Sequence, residues 1–238
     1  MSHAGKDFNR HSMIACVSIV IAVFTSAPIL AQQKPIVIEP NAVVSNVAKA
    51  LTVLNKPGSY VLSRDLVNAR AGVDSVDINA SNVTIDLQGF SIISSVSSTG
   101  VGINATGQSN VVIRNGIITG QGGPAIIVGP DATISGITAS QNSLSSSVGA
   151  SIEAGNGSQI IFDNVSEGGS GGVSCSAGCL ARDNVIQGNL GVGMNFIDAT
   201  DGYLGNVMQG NDGINSGSTG QVSGGTSLGQ NLCNSTTC

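Results

Sequence analysis

Cleaving a glycosidic bond takes two carboxylates that flank it, about 5–9.5 Å apart. One pair in this sequence has a suggestive setting. Asp163 and Asp183 each precede an Asn-Val dipeptide, and Arg182 stands beside the second. If the two segments take equivalent places in successive repeats, stacking brings the carboxylates together, with Asp201 nearby. Like-charge proximity then raises one pKa and suits it to donate a proton. The bland reading, two solvated Asp side chains at strand ends, is preferred, because a working dyad also needs sugar-binding rings. The rings beyond the N-terminal segment are few: Tyr60, Phe90, Phe162, Phe196 and Tyr203.

Other chemistries find less support. Both histidines, His3 and His11, lie at the extreme N-terminus, so Ser–His and Cys–His nucleophiles are not expected. The Gly-rich stretch 167–172 lacks the Gly-Lys-Ser/Thr ending of a phosphate loop. Asp198, Asp201 and Asp212 are close in sequence but form no EF-hand loop. No metal site or cofactor is expected from them. Beyond the first segment the cysteines are Cys175, Cys179, Cys233 and Cys238. Four cysteines allow three connectivities. In an oxidising compartment the two local pairs, Cys175–Cys179 and Cys233–Cys238, are favoured over a zinc site, whose ligand spacings fit poorly and which would find no histidine.

The compartment is read from the N-terminus. Lys6, Arg10 and His11, an apolar run over residues 13–24, and Ala31 describe a secretory signal peptide over residues 1–31. An uncleaved anchor is the alternative, although the run falls short of the about 20 residues of a comfortable span. Losing Lys6, Arg10 and Asp7 takes the 9 basic and 14 acidic residues to 7 and 13, a charge near −6. Such a chain is not expected to bind nucleic acid, nor to span a membrane after cleavage. A secreted, extracellular or periplasmic location follows.

The elements that must position these residues are short. Residues 32–57 read as an N-terminal cap or lead-in, and residues 58–238 as the repeat domain. One unit recurs: an alternating strand, a polar turn, a second strand, then a Gly/Ser/Asn turn. Its first strands begin near Val76, Val101, Ala125, Ala150, Val173 and Val192. A second column contains Val83-Thr-Ile85-Asp-Leu87, Val111-Val-Ile113, Thr133-Ile134, Ile160-Ile-Phe162, Leu180-Ala-Arg182 and Tyr203-Leu204. Coils of roughly 20–28 residues fit a parallel β-helix, in which alternate side chains enter the core and like residues stack. Asn164, Asn184 and Asn206, one coil apart, are expected to form an Asn ladder at a corner, and Gln141-Asn142, Gly188-Asn189, Gly210-Asn211 and Gln230-Asn231 close the coils. The fold class is all-β, a right-handed parallel β-helix of about six to seven coils with an N-terminal cap.

Three segments carry a resemblance: residues 58–62, residues 77–90 with Asn82-Val-Thr-Ile-Asp-Leu-Gln-Gly-Phe90, and residues 112–117. They resemble the opening of exported bacterial β-helix proteins of the pectin-lyase-like superfamily. The resemblance implies a three-sided helix and polysaccharide chemistry. In pectate-lyase-like enzymes an Arg can act as base while Asp residues hold Ca²⁺, so Ca²⁺ would enter only with a lyase activity. Arg114 and Arg182, the basic residues beyond position 70, stand outside the motifs of those enzymes. The leading expectation is therefore a secreted or cell-surface β-helix protein, structural or polysaccharide-interacting, with extracellular polysaccharide as partner. The alternative is a polysaccharide lyase or glycoside hydrolase using Asp163, Asp183 and Arg182.

Overall fold

Short alternating runs of β-branched residues cannot bury their apolar side alone; they gain by pairing with the next such run. The computed structural model describes residues 34–38, 49–95, 99–143, 149–211, 220–234 and 236–238. The segment read as a signal peptide and residues 39–48 of the lead-in lie outside them. Strand Ala50–Leu54 pairs in parallel with Asp74–Ile78, followed in turn by Ile103–Ala105, Ile126–Val128, Ala150–Ala154, Gly171–Cys175, Met194–Phe196 and Val222–Ser223. A second sheet of 16 strands supplies the remaining flanks of each coil. The result is a parallel β-solenoid of about 7 turns, with no helix among the described residues. Among those residues, accordingly, no helix is long and apolar enough to cross a membrane.

Three inward columns make the core. One is Val76, Ile103, Ile126, Ile152, Val173 and Met194. The second is Ile85, Ile113, Ile134, Ile160, Ala181 and Tyr203, one residue from each segment of the second expected column. The third is Leu66, Ile92, Ile118, Ala139, Val165, Ile186 and Met208. Each large aliphatic member contributes about 1.5–3 kcal/mol on burial. Each coil contacts chiefly its neighbours, so stability accumulates coil by coil.

Three expectations change in detail. Inside the first column the aligned residues lie one or two positions beyond the expected starts, at Ile103, Ile126, Ile152 and Met194. The described part of the lead-in already belongs to the solenoid: Ile36–Ile38 pairs with Tyr60–Leu62, and Ala50–Leu54 with Asp74–Ile78. At the other end the chain reverses. Leu232–Cys233 pairs antiparallel with Thr236–Thr237, and Cys233 is bridged to Cys238, so a short tied hairpin finishes the sheet edge. That pair is the expected one. Cys175 and Cys179 instead remain buried thiols. Cys175 points into the core from its strand, while the Cys179 thiol donates to the Gly155 carbonyl at 3.3 Å.

Candidate functional site

The corner that should hold an Asn ladder does hold one, displaced by one residue in one coil. The register places Asp163, Asn184, Asn206 and Asn231 in line, whereas Asn164 pairs with Val185 and is exposed. The physical reason is the inward residue two positions on: Val165, Ile186, Met208 and Cys233 share a core column, so the residue two before each must be the ladder residue. Asn206 shows the repeat. Its Oδ1 accepts from both the backbone N–H and the Nδ2 of Asn184, each at 3.0 Å. Its Nδ2 donates to the Ala181 carbonyl and to Asn231 Oδ1. At the next corner Asn189 stacks on Asn211, and Asn142 lies in line with them two coils before Asn189, with Gly168 in the coil between. Asn211 approaches so closely that a Cβ on Gly193 would lie 2.7 Å from its amide nitrogen.

This register separates the two proposed acids. Asp163 is 2% exposed, and its Oδ1 accepts the Ile137 N–H at 2.7 Å. Burial raises its carboxyl to about 7, against the opposing pull of the Ile137 and Ile161 amides. Asp183 sits one position earlier in its coil and faces outward. Asp163 therefore does not share a bond-cleaving space with Asp183.

What Asp183 shares a position with is Phe162. The column Asn115, Gly136, Phe162, Asp183, Gly205 and Gln230 lies at the sharp corner before the ladder, every member left-handed, with φ between 57 and 67°. Asn and Gly suit that conformation; Phe does not. Phe162 is nevertheless 62% exposed there. The Arg182 guanidinium sits 5.5 Å from its ring centroid and reaches Asp183 Oδ2 at 3.5 Å. A strained, solvent-facing ring carrying a cation and a carboxylate has no packing rationale.

Beyond this corner the flank continues outward as two columns. Thr138, Asn164, Val185 and Val207 form one, and Ser140, Ser166, Gln187 and Gln209 the other. The second borders a shallow groove of about 350 Å³ lined by Ser166, Glu167, Gln187, Gly188, Gln209 and Gly210. Gly188 and Gly210 leave its floor as bare backbone. Gln141 Nε2 holds Glu167 Oε2 at its edge, 3.0 Å away.

Three further aspartates, Asp74, Asp198 and Asp201, are taken up by local hydrogen bonds. Asp74 takes the Val101 N–H and the Asn104 amide. Its neighbour Asp77 is raised to about 6, first by burial, then by the hydrogen bond and charge of Asp74, with Lys49 opposing. Asp198 Oδ1 accepts from the backbone and hydroxyl of Thr200, and Asp201 accepts the Cys179 and Asp198 N–H groups. These donor atoms do not fit a Ca²⁺ shell, and among the described residues no three His, Cys, Asp or Glu side chains converge as metal ligands. Asp212 lies outside the described residues.

Sequence reasoning passed over Phe162, Gln187 and Gln209. Phe162 is the one aromatic at a corner where other coils carry Asn, Gly, Asp or Gln; the glutamines carried no motif. No protein-family model matches the chain, and neither does any curated protein or solved structure.

Proposed function

We propose that the chain is an exported, non-catalytic solenoid that holds a neutral polysaccharide along the flank running from Phe162 to the Gln187–Gln209 groove. The observation that carries this reading is the exposed Phe162 ring in a left-handed backbone. Its face can stack on the C–H side of a sugar, while Arg182, Asp183 and the two glutamine amides offer donors and acceptors to hydroxyls. Coils spaced about 4.8 Å apart repeat the Gln187 and Gln209 amides at roughly the length of one sugar unit, which favours an extended chain over a compact ligand. Asp183, Glu167 and the acidic balance of the chain disfavour a polyanion. The sequence resemblance to pectin-lyase-like proteins agrees with carbohydrate, although a fold alone carries no activity. Export is supported by the N-terminal pattern and agrees with the Cys233–Cys238 bridge.

Affinity electrophoresis of the purified chain in gels containing neutral or acidic polysaccharides, with and without Ca²⁺, tests it. Retardation by a neutral polymer, weakened about 10-fold or more in Phe162→Ala, is expected, since burying a Phe face is worth at least about 1.5 kcal/mol. Retardation only by acidic polymers, or an unchanged Phe162→Ala, sinks the proposal. Release of reducing or unsaturated ends, abolished in Asp183→Asn, would restore the enzymatic alternative.

A further inference from the structure

The Asn ladder ends on an aspartate, and the hydrogen-bond pattern shows what that end lacks. In Asn184 and Asn206, Oδ1 accepts the N–H of the preceding coil, while Nδ2 donates to a carbonyl of that coil and to the Oδ1 of the next. Asp163 reproduces the first half: its Oδ1 takes the Ile137 N–H. Its Oδ2 is buried with no hydrogen-bond partner. The repeat register sets that atom in the place of Nδ2, where the ladder presents acceptors: the Ile134 carbonyl, equivalent to those of Ile160 and Ala181, and Asn184 Oδ1. Asn206 and Asn231 each accept two hydrogen bonds at Oδ1, whereas Asn184 Oδ1 accepts only the Asp163 N–H. A carboxylate adds a third acceptor to this slot; a neutral acid supplies the missing donor.

We propose that Asp163 is the proton-dependent end of the ladder: as a neutral acid its Oδ2–H completes the ladder toward Asn184 or Ile134, and on ionising it loosens the junction between the coils of Ile137 and Asn184. No counter-charge keeps it ionised. The strands packed around it are Thr133–Ser140, Gln159–Ile161, Asn164–Ser166, Leu180–Arg182 and Val185–Gln187. Their one charged side chain, Arg182, is turned outward onto Phe162 and Asp183, and Asp183 and Glu167 on the adjoining turns are exposed.

The sign follows from linkage. A carboxyl at about 7 when folded and about 4 when unfolded binds its proton more tightly in the fold. Its stabilising effect is complete below about pH 4 and is lost as pH rises toward about 7. The full-length protein and Asp163→Asn are compared by denaturant unfolding from pH 4 to 8. Asn fills the slot with a permanent donor, so the variant folds. Asp77 and Glu153, whose carboxyls are also raised, titrate in both proteins and cancel in the comparison. Relative to the variant, the unfolding constant of the wild type should grow by up to about 10-fold per pH unit, reaching on the order of 1,000-fold by pH 8. At pH 6 the infrared carbonyl band of neutral carboxylic acid should be stronger in the native wild type than in Asp163→Asn, where the raised Asp77 and Glu153 carboxyls still contribute. Parallel pH profiles, or bands of equal strength in the two proteins, would overturn the proposal.

Discussion

At the residue scale, the exposed ring of Phe162 stands apart from the core. Phe162 holds a left-handed backbone that costs an ordinary L-residue about 1–2 kcal/mol, in a column where Gly136 and Gly205 adopt the same conformation. Phe162→Gly relieves that strain but forfeits the Arg182 contact, worth about 0.5–1 kcal/mol, and gains freedom in the unfolded chain. Its stability should stay within about 1 kcal/mol of wild type in a denaturant melt, where emptying a core Phe site costs about 3–5 kcal/mol. Polysaccharide retardation should be lost in the same variant. A loss of stability of core size would make Phe162 a packing residue and remove the main support for a binding flank. At this scale the sequence was partly legible. Asp163-Asn164-Val165 and Asp183-Asn184-Val185 look identical, yet Val165 points inward and Val185 outward. Because alternate strand residues face opposite ways, a slip of one residue exchanges core and surface, and it turned an apparent acid pair into a ladder terminus and a surface carboxylate.

Elements were more legible than residues, because a strand is fixed by a run and not by one position. The segments from residues 83–87 to residues 203–204 could be read directly, since short apolar runs recur there at coil spacing. Which member of each points inward came from the register. Cysteine pairing was legible at only one of two places. Spacing alone favours a local bridge for both pairs, but Cys175 occupies a core column in line with Ala154 and Phe196, so its thiol serves as packing. Its hydrogen bond with Cys179, then burial, hold that thiol far above its ordinary pKa and unreactive. The tied hairpin at Cys233–Cys238 closes a short loop and should contribute about 2 kcal/mol by the chain-entropy estimate. Cys238→Ser is expected to lower the denaturant midpoint accordingly. Reductant should reproduce that loss in the wild type and leave Cys238→Ser unmoved. A further loss on reducing Cys238→Ser would mean that Cys175 and Cys179 are bridged after all.

At the scale of the whole molecule, a solenoid transmits damage only through neighbouring coils. That locality distinguishes the ladder from ordinary turn asparagines. Removing the Asn206 side chain leaves the Asn184 N–H and the Ala181 carbonyl short of partners inside the core. Each buried unsatisfied group costs about 1–3 kcal/mol. Asn164 is exposed and outside the ladder, so its truncation should fall within about 0.5 kcal/mol of wild type. Hydrogen exchange read by mass spectrometry on full-length Asn206→Ala should therefore show faster exchange in peptides covering about one coil on either side of Asn206, from Leu180 to Asn234. Peptides from Gly58 to Ser94, several coils away, should keep wild-type protection, and Asn164→Ala should match wild type throughout. Uniform acceleration along the chain would mean that the coils unfold as one cooperative body. Equal effects of the two substitutions would mean that the ladder does not hold the corner. Local acceleration confined to Asn206→Ala would establish that buried amide stacking, together with the aliphatic columns, keeps the outward flank of Phe162, Gln187 and Gln209 in register.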